Sequence, residues 1–224
     1  MFWPMEKMTC LFCGNSEAEW FLRDDTRMDY IRDYYHCPEC RLIFVDPDQR
    51  LDGDEERSRY DMHENDPEDP GYRKFLSRLF KPMNDRIEPN SYGLDFGSGP
   101  GPTLHLMFEE RGHTMRIYDP FYADDPTVFY DAYDFITTTE TAEHLFDPLM
   151  ELDRLWRCLK PGGFLGIMTK RHRGPDHFKE WHYKNDDTHV VFFHEQTFRW
   201  LGERWKAEPE FLRSDVVIIG KPNP

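Results

Sequence analysis

Three things are scarce in this sequence: long apolar runs, positive charge and a secretory leader pattern. No apolar run reaches the ~18 residues that a membrane span needs, and the start, MFWPMEKMTC, lacks a basic stretch followed by a long apolar one. The 28 Lys and Arg against 43 Asp and Glu give a net charge of −15. Such a field repels phosphate backbones and anionic membranes. We therefore expect a cytoplasmic protein that does not dock on membranes and is a poor binder of nucleic acid.

Cysteine is also scarce, but four of the five cysteines form a regular pattern. Cys10, Cys13, Cys37 and Cys40 make two C-x2-C pairs with 23 residues between them. Two such knuckles can place four thiolates around one ion, and zinc suits a closed four-sulfur site. The alternatives are two disulfides or four unrelated thiols. Cys158 lies in a helical apolar pattern and is expected to be a small core residue.

The order of apolar segments predicts three parts. Residues 1–45 form the zinc-binding module, and residues 46–90 form an acidic linker followed by a helical cap. Residues 91–224 alternate between strand and helix patterns. This alternation is typical of an α/β fold with a doubly wound, mostly parallel sheet, here expected to end in an antiparallel hairpin.

A glycine loop follows the first strand of the α/β part. The stretch LDFGSGPGP places Gly97, Gly99 and Gly101 between a strand and a helix, where glycine lets the backbone turn sharply and approach a ligand. Asp119 ends the next strand, 20 residues after Gly99. A carboxylate at that place can accept both hydroxyls of a ribose, so the pattern indicates nucleoside recognition.

Two classes of cofactor fit this loop. A dinucleotide fingerprint, G-x-G-x-x-G, would need the third glycine one residue later, and Pro102 removes an N–H that a pyrophosphate could use. Asp95 places a negative charge where it would repel a phosphate and would suit a sulfonium or an ammonium group. The loop therefore favours a zwitterionic nucleoside over NAD.

Residues 91–169 resemble the class I S-adenosylmethionine-dependent methyltransferases. LDFGSGPGP is similar to that family's first motif, D-x-G-x-G-x-G, and RIYDP to its second-strand motif. YDFITTTETAEHLFDP resembles the fourth-strand motif with its E-H-L, and LKPGGFLGIMT the motif before the fifth strand. The four-cysteine module and a later W-x-Y…D-x-T-H-V segment, from Trp181 to Val190, resemble a bacterial branch of these enzymes.

The resemblance implies a Rossmann-like fold, S-adenosylmethionine as methyl donor and a set of donor-binding residues. In the resembling branch the region before the sheet folds over the donor, which brings in Tyr60. The implied donor-binding residues are Asp95, Gly97, Gly99, Gly101, Asp119, Pro120, Thr138, Thr139, Glu140 and Tyr60.

One stretch departs from the family pattern. Only residues 120–133 separate the second strand from the fourth, which is too short for a helix, a full third strand and another helix. Either Val128, Phe129 and Tyr130 form a residual third strand, or that edge is missing. The acidic residue that usually touches the adenine amine has no clear equivalent, and Asp131 is the candidate.

Two histidines are candidates for catalysis. His189 could be oriented by Asp186 or Asp187 as a general base, and His144 follows the fourth strand at the carboxyl edge of the sheet. The alternative for both is a structural role as a hydrogen-bonded ring.

Four residues after the fifth strand are candidates for substrate binding. Lys170 and Arg171 form part of a basic cluster, unusual in so acidic a chain, that could attract an anionic group. A solvated turn of charges is the alternative. Trp181 and Tyr183 could form an aromatic wall over the acceptor, or pack in the core.

The sequence therefore predicts a methyltransferase that acts on a small-molecule acceptor with an anionic group. The alternatives are an NAD-dependent oxidoreductase, and a non-catalytic adaptor whose zinc module binds a protein. The acceptor, the methylated atom and the oligomeric state are not predicted.

Overall fold

The computed structural model describes residues 7–27, 30–62 and 65–223, which form two β-sheets. The predicted zinc module begins at residue 1, so its first six residues and residues 28–29 lie outside the described part, as do residues 63–64 of the predicted linker. Among the described helices, none combines the length and apolar character that crossing a membrane requires.

The first sheet is antiparallel and is completed by a strand from the far end of the chain. Its order is β1, β2, β3, β4, β9, in which β4 pairs with β9 through Ile43 opposite Phe192. Residues 190–193 were expected to belong to the α/β alternation, but the structure places their strand here. The strands are β1 (Lys7–Met8), β2 (Ala18–Arg27), β3 (Tyr30–His36), β4 (Ile43–Val45) and β9 (Val191–Phe192).

Two helices follow β4 and lead from the first sheet to the second. Aspartate caps both of them: Asp52 accepts from the backbone of Asp54 and Glu55, and Asp69 from that of Gly71 and Tyr72. The helices are α1 (Gly53–Tyr60) and α2 (Pro70–Asn84).

The second sheet has the predicted doubly wound character. Its order is β10-β11-β8-β7-β5-β6, parallel from β8 to β6, with β11 antiparallel to β8 and paired with β10 as the expected terminal hairpin. The strands are β5 (Tyr92–Phe96), β6 (Thr114–Tyr118), β7 (Tyr133–Thr139), β8 (Leu159–Met168), β10 (Pro209–Phe211) and β11 (Val216–Gly220).

Helices cover both faces of this sheet. Apolar side chains of α2 and α3 pack on one face around Phe108 and Phe135. Those of α4 and α6 pack on the other, in a cluster that also contains the cysteines of the first sheet. The remaining helices are α3 (Leu104–Glu109), α4 (Pro148–Cys158), α5 (Pro175–Lys179) and α6 (Glu195–Trp205).

The third strand of the family pattern is absent from the described sheet. In its place Pro126–Tyr130 form a 3₁₀ turn, which leaves β6 at the sheet edge. Val128 is fully buried, and its carbonyl accepts a hydrogen bond from the Tyr133 hydroxyl at 2.8 Å. Of the two alternatives for this segment, the missing edge is therefore the one observed.

Candidate active site

A cavity of about 780 Å³ opens at the carboxyl ends of the parallel strands, which is where ligands bind in doubly wound folds. Most of the predicted donor and acceptor residues line it, namely Tyr60, Gly97, Gly99, Asp119, Pro120, Thr139, Glu140, His144, Lys170, Tyr183 and His189. The others lie beneath or beside it, namely Asp95, Gly101, Thr138, Arg171 and Trp181.

The glycine loop leaves β5 in a conformation that favours glycine. Gly97 and Gly99 have φ angles of 75° and 68°. A Cβ atom on Gly97 would lie 2.2 Å from the Thr141 side chain, whereas one on Gly99 would meet nothing within 4 Å. The backbone at Gly99 therefore faces open space, where a ligand can approach it closely.

Asp119 fixes both the glycine loop and its own turn. One carboxylate oxygen accepts from the N–H of Gly99 at 2.9 Å, and the other accepts from Phe121 at 2.9 Å and Tyr122 at 3.2 Å. A carboxylate has about four acceptor positions, so one remains for a ligand hydroxyl. The predicted pairing of loop and acid is thus a direct contact.

Asp95 supports the loop from below. Its carboxyl group is buried, accepts a hydrogen bond from the Thr137 hydroxyl at 2.8 Å, and does not line the cavity. Burial raises the pKa of Asp95 to about 7. Thr138 is buried in β7, and a Cβ atom on Gly101 would lie 2.0 Å from the carbonyl oxygen of Asn65. These three residues shape the site without lining it.

Helix α1 covers the cavity with residues that the sequence pattern assigned to a linker. The ring of Tyr60 lies 5.8 Å from that of Phe121 and 5.4 Å from that of His144, and its hydroxyl donates to Glu56. Burial raises the pKa of Glu56. Glu56 was missed because its acidic surroundings suggested solvent. The capping pattern of Asp52 and Glu55 is the signal that could have revealed the helix.

The two candidate histidines meet at the base of the cavity. Their ring centroids lie 4.7 Å apart. Nδ1 of His144 lies 3.1 Å from the Thr188 carbonyl oxygen, and Nδ1 of His189 lies 2.8 Å from that of Tyr183. A carbonyl can only accept, so Nδ1 carries the proton in both rings and Nε2 is the basic nitrogen. Burial lowers the pKa of His189 to about 4, which keeps it neutral.

Tyr183 connects the histidines to two acids, the half-buried Glu140 and the buried Glu143. Its hydroxyl donates to Glu143 and lies 3.5 Å from Glu140. Glu140 has a φ angle of 49°, an uncommon backbone position for a side chain other than glycine, and burial next to Glu143 raises its pKa to about 8. Glu143 belongs to the E-H-L segment but was not singled out, because sequence alone does not show that its carboxyl group turns inward.

Of the two predicted basic residues, Lys170 lines the cavity and Arg171 does not. Nζ of Lys170 lies 4.7 Å from the centre of the Tyr183 ring. Arg171 turns away, donates to the carbonyl of Arg213 and lies over the Phe211 ring. Trp181 packs against Phe178 and Phe192, as in the core-packing alternative. Of this predicted pair, only Lys170 is therefore placed to attract an anionic group in the cavity.

Asp131, the candidate for the adenine edge, lies outside the cavity. Its carboxylate accepts from the Tyr92 hydroxyl at 2.7 Å and from Arg116 at 3.1 Å. Residues that follow the 3₁₀ turn at 142–144 do line the cavity, namely Phe146, Asp147, Met150, Glu151 and Arg154.

The four predicted metal ligands converge in the first sheet. Their sulfur atoms lie within 4.8 Å of one another, and the distances that join Cys10 to Cys40 and Cys13 to Cys37 are 3.7 and 3.5 Å. These are far longer than a disulfide bond of about 2.05 Å, and all five cysteines are free. The two sulfur–sulfur distances match the value of about 3.8 Å expected when four sulfur atoms surround a zinc ion as a tetrahedron, with zinc–sulfur bonds near 2.3 Å.

The two cysteine knuckles share one backbone form. The N–H of Gly14 donates to the carbonyl of Cys10, and the N–H of Arg41 to that of Cys37, both at 3.1 Å. Gly14 and Arg41 both have positive φ, at 75° and 63°. The repeated geometry is compatible with a zinc site of four thiolates.

Comparison with known proteins gives a family and a fold. A family model described as "Methyltransferase domain" matches residues 62–205. No curated protein matches the chain in sequence.

Among the solved structures that match are two methyltransferases with the same fold. One is 1,6-didemethyltoxoflavin-N1-methyltransferase of Burkholderia thailandensis, with 1,6-didemethyltoxoflavin and S-adenosylhomocysteine bound. It has a TM-score of 0.52 and 15% identity, over 84% of this chain and 99% of that one. The other is an S-adenosylmethionine-dependent methyltransferase of Archaeoglobus fulgidus, with a TM-score of 0.51 and 16% identity, over 66% of this chain and 94% of that one. At such identities the likeness establishes a class I methyltransferase fold.

Proposed function

Because the chain belongs to the methyltransferase domain family and is therefore an enzyme, we propose that it transfers a methyl group from S-adenosylmethionine to a small-molecule acceptor. The contact between Gly99 and Asp119 at the cavity carries this proposal. It joins the two elements that recognise a nucleoside in this fold, an open glycine backbone and a ribose-binding acid. The family match does not support an NAD-dependent oxidoreductase or an adaptor.

The donor fits the cavity by its chemistry. Asp119 has an acceptor position for a ribose hydroxyl, and the open face of Gly99 lets the sugar and amino-acid parts pass close to the backbone. Tyr72 and Glu140 line the cavity together with this loop. A cationic donor beside Glu140 would favour the ionised form of a carboxyl group whose pKa burial raises to about 8.

The acceptor end lies where Lys170, Tyr183, His144 and His189 meet. The donor supplies an activated methyl group, and the protein aligns the acceptor with it and excludes water, effects worth up to ~7–11 kcal/mol in ideal geometry. We assign the predicted catalytic role to the Nε2 atoms of the two histidines, which are the basic nitrogens. The cavity volume of about 780 Å³ lies within the usual range for small-molecule sites.

We further propose that Cys10, Cys13, Cys37 and Cys40 hold a structural zinc ion. A closed set of four thiolates leaves no open coordination position, so this ion would stabilise the first sheet and take no part in methyl transfer.

Isothermal calorimetry with S-adenosylmethionine, S-adenosylhomocysteine and NAD tests the donor assignment. We expect the first two to bind and NAD not to bind. Asp119→Ala should weaken S-adenosylmethionine binding about ten-fold or more, because a hydrogen bond to a charged group is worth ~1.5–3 kcal/mol. Asp124→Ala, which removes an exposed acid from the same turn, is the matched control.

Two results would overturn the donor assignment: NAD binding without S-adenosylmethionine binding, or equal affinities of S-adenosylmethionine for Asp119→Ala and wild type. Incubating a cell extract with the enzyme and isotopically labelled donor, followed by mass spectrometry, tests the acceptor class. Label confined to RNA or protein would refute a small-molecule acceptor.

A further inference from the structure

Three side chains at the base of the cavity form a group with the composition of a metal site. Glu143 and His144 lie in the 3₁₀ turn Ala142–His144, and His189 lies just before β9. One ligand atom from each lies within 4.8 Å of the others. The N–H of Val190 donates to the carbonyl of Glu143 at 2.9 Å, so the backbone holds the two segments together.

Both imidazoles are prepared to bind a cation through Nε2. Each Nδ1 donates to a main-chain carbonyl, that of Thr188 or that of Tyr183. Metal-binding histidines commonly make this second hydrogen bond, which fixes the tautomer and the direction of the ligand nitrogen. Both rings also line the cavity.

The carboxyl group of Glu143 is an independent sign of a missing partner. Glu143 is fully buried, and one of its oxygens accepts from the Tyr183 hydroxyl. Its other oxygen, Oε2, is buried and has no hydrogen-bond partner among the residues that the structure describes. A buried carboxylate oxygen left without a partner is costly, and a bound cation would supply one.

We propose that Glu143, His144 and His189 bind a divalent transition-metal ion at the acceptor end of the cavity. Two imidazoles and one carboxylate suit Zn²⁺ and Fe²⁺, unlike the four thiolates of the first sheet. Three protein ligands leave coordination positions open, so an acceptor hydroxyl or thiol can bind the ion from the cavity.

The consequence for the reaction rests on the proposed function. An acceptor hydroxyl bound to the ion has a lowered pKa and releases its proton to water. The resulting oxygen anion forms a bond to the donor's methyl carbon, and the carbon–sulfur bond breaks with its electron pair left on sulfur. In this arrangement Nε2 of each histidine binds the ion, so the histidines position the acceptor as ligands, and water takes the place of the basic nitrogens as proton acceptor.

Cobalt is the probe for this site, since the two donor sets give different spectra. The full chain is depleted of metal and titrated with CoCl₂, with metal analysis and visible absorption as the readouts. We expect two ions per wild-type chain, of which only one produces a thiolate charge-transfer band. His144→Ala and Glu143→Gln should each bind one ion and keep that band. His182→Gln, which changes another histidine of the same cavity, is the matched control and should bind two.

The proposal is overturned if the only ion bound by the wild-type chain gives the thiolate band, or if His144→Ala or Glu143→Gln still binds two ions. Calorimetry with S-adenosylmethionine on the same samples separates this outcome from failure of the proposed function. A chain that binds the donor but only one ion, with the thiolate band, refutes the metal site alone. A chain that binds two ions but no donor refutes the proposed donor.

Discussion

Asp95 illustrates how a single buried acid can tie stability to pH. Burial raises its pKa to about 7, whereas an exposed aspartate titrates near 3.9. Between those values the unfolded chain loses its proton while the folded chain keeps it. The contribution of Asp95 to stability is therefore fully present below about pH 4 and is lost as pH rises to about 7.

Asp95→Asn should remove this pH dependence, because asparagine can still accept a hydrogen bond from Thr137 without ionising. The free energy of unfolding of wild type, measured relative to that of the variant by urea denaturation, should fall by up to about 4 kcal/mol between pH 4 and pH 7. Asp176→Asn removes an exposed charge and is the control. Parallel pH profiles for wild type and Asp95→Asn would contradict the prediction.

The positions of individual site residues were predictable where they follow from a short sequence motif. Gly97, Gly99 and Asp119 are fixed by the strand–loop–helix pattern, and all three line the cavity. Lys170 and Arg171 are adjacent in sequence, yet only Lys170 faces the cavity. Which of two neighbouring side chains turns inward depends on tertiary contacts, here those of Arg171 with Arg213 and Phe211.

At the scale of elements, the first sheet holds the segment that carries His189. Arg32 of β3 is buried, and its guanidinium donates to the carbonyls of Asp187 and His189, the latter at 2.7 Å. Lys184 pairs with Asp24 of β2 at 2.7 Å. The first sheet therefore holds residues 184–190, and with them His189, at the cavity.

Arg32→Lys should loosen this segment, because a lysine ammonium cannot reproduce the fork of a guanidinium. We expect amide hydrogen exchange in residues 186–190 to become about ten-fold faster, while exchange in β5 and β6 stays unchanged. Arg23→Lys, an exposed partner of Asp33 in the same sheet, is the control. Unchanged exchange in residues 186–190 of Arg32→Lys would contradict the role of Arg32 in holding this segment.

Helices and strands with clear capping or apolar patterns were predictable from the sequence, whereas the pairing partners of the strands were less so. Helix α4 begins at Pro148 with Asp147 as its cap, as its sequence indicated. The strand at residues 190–193 was recognised, but its pairing with β4 was not. Strand propensity does not specify which distant strand a segment joins.

At the scale of the whole molecule, the two sheets share apolar packing. Phe12, between the cysteines of the first knuckle, packs against Phe193 and Trp200, with ring centroids 5.9 and 5.6 Å apart. Cys37 and Leu42 belong to the same buried cluster as Leu155 and Leu201 of the second sheet's helices. The predicted zinc module and the methyltransferase part are therefore not separate cores.

A shared core predicts a single unfolding transition. In the cobalt-loaded protein, the thiolate absorption and the far-ultraviolet circular dichroism should disappear at the same denaturant concentration. Phe12→Ala should lower both midpoints together, at a cost of about 3–5 kcal/mol. Loss of the thiolate band at a clearly lower concentration would show that the module unfolds by itself.

The late completion of the first sheet sets an order for folding during translation. Arg32 and His189 are 157 positions apart, and β4 pairs with β9 over a comparable length of chain. The two cysteine knuckles can form as soon as residue 40 leaves the ribosome, because the contacts within each knuckle are local. The edge of β4 then stays unpaired until residues 191–192 emerge, so the nascent chain carries an open strand edge while the residues between these two strands are made.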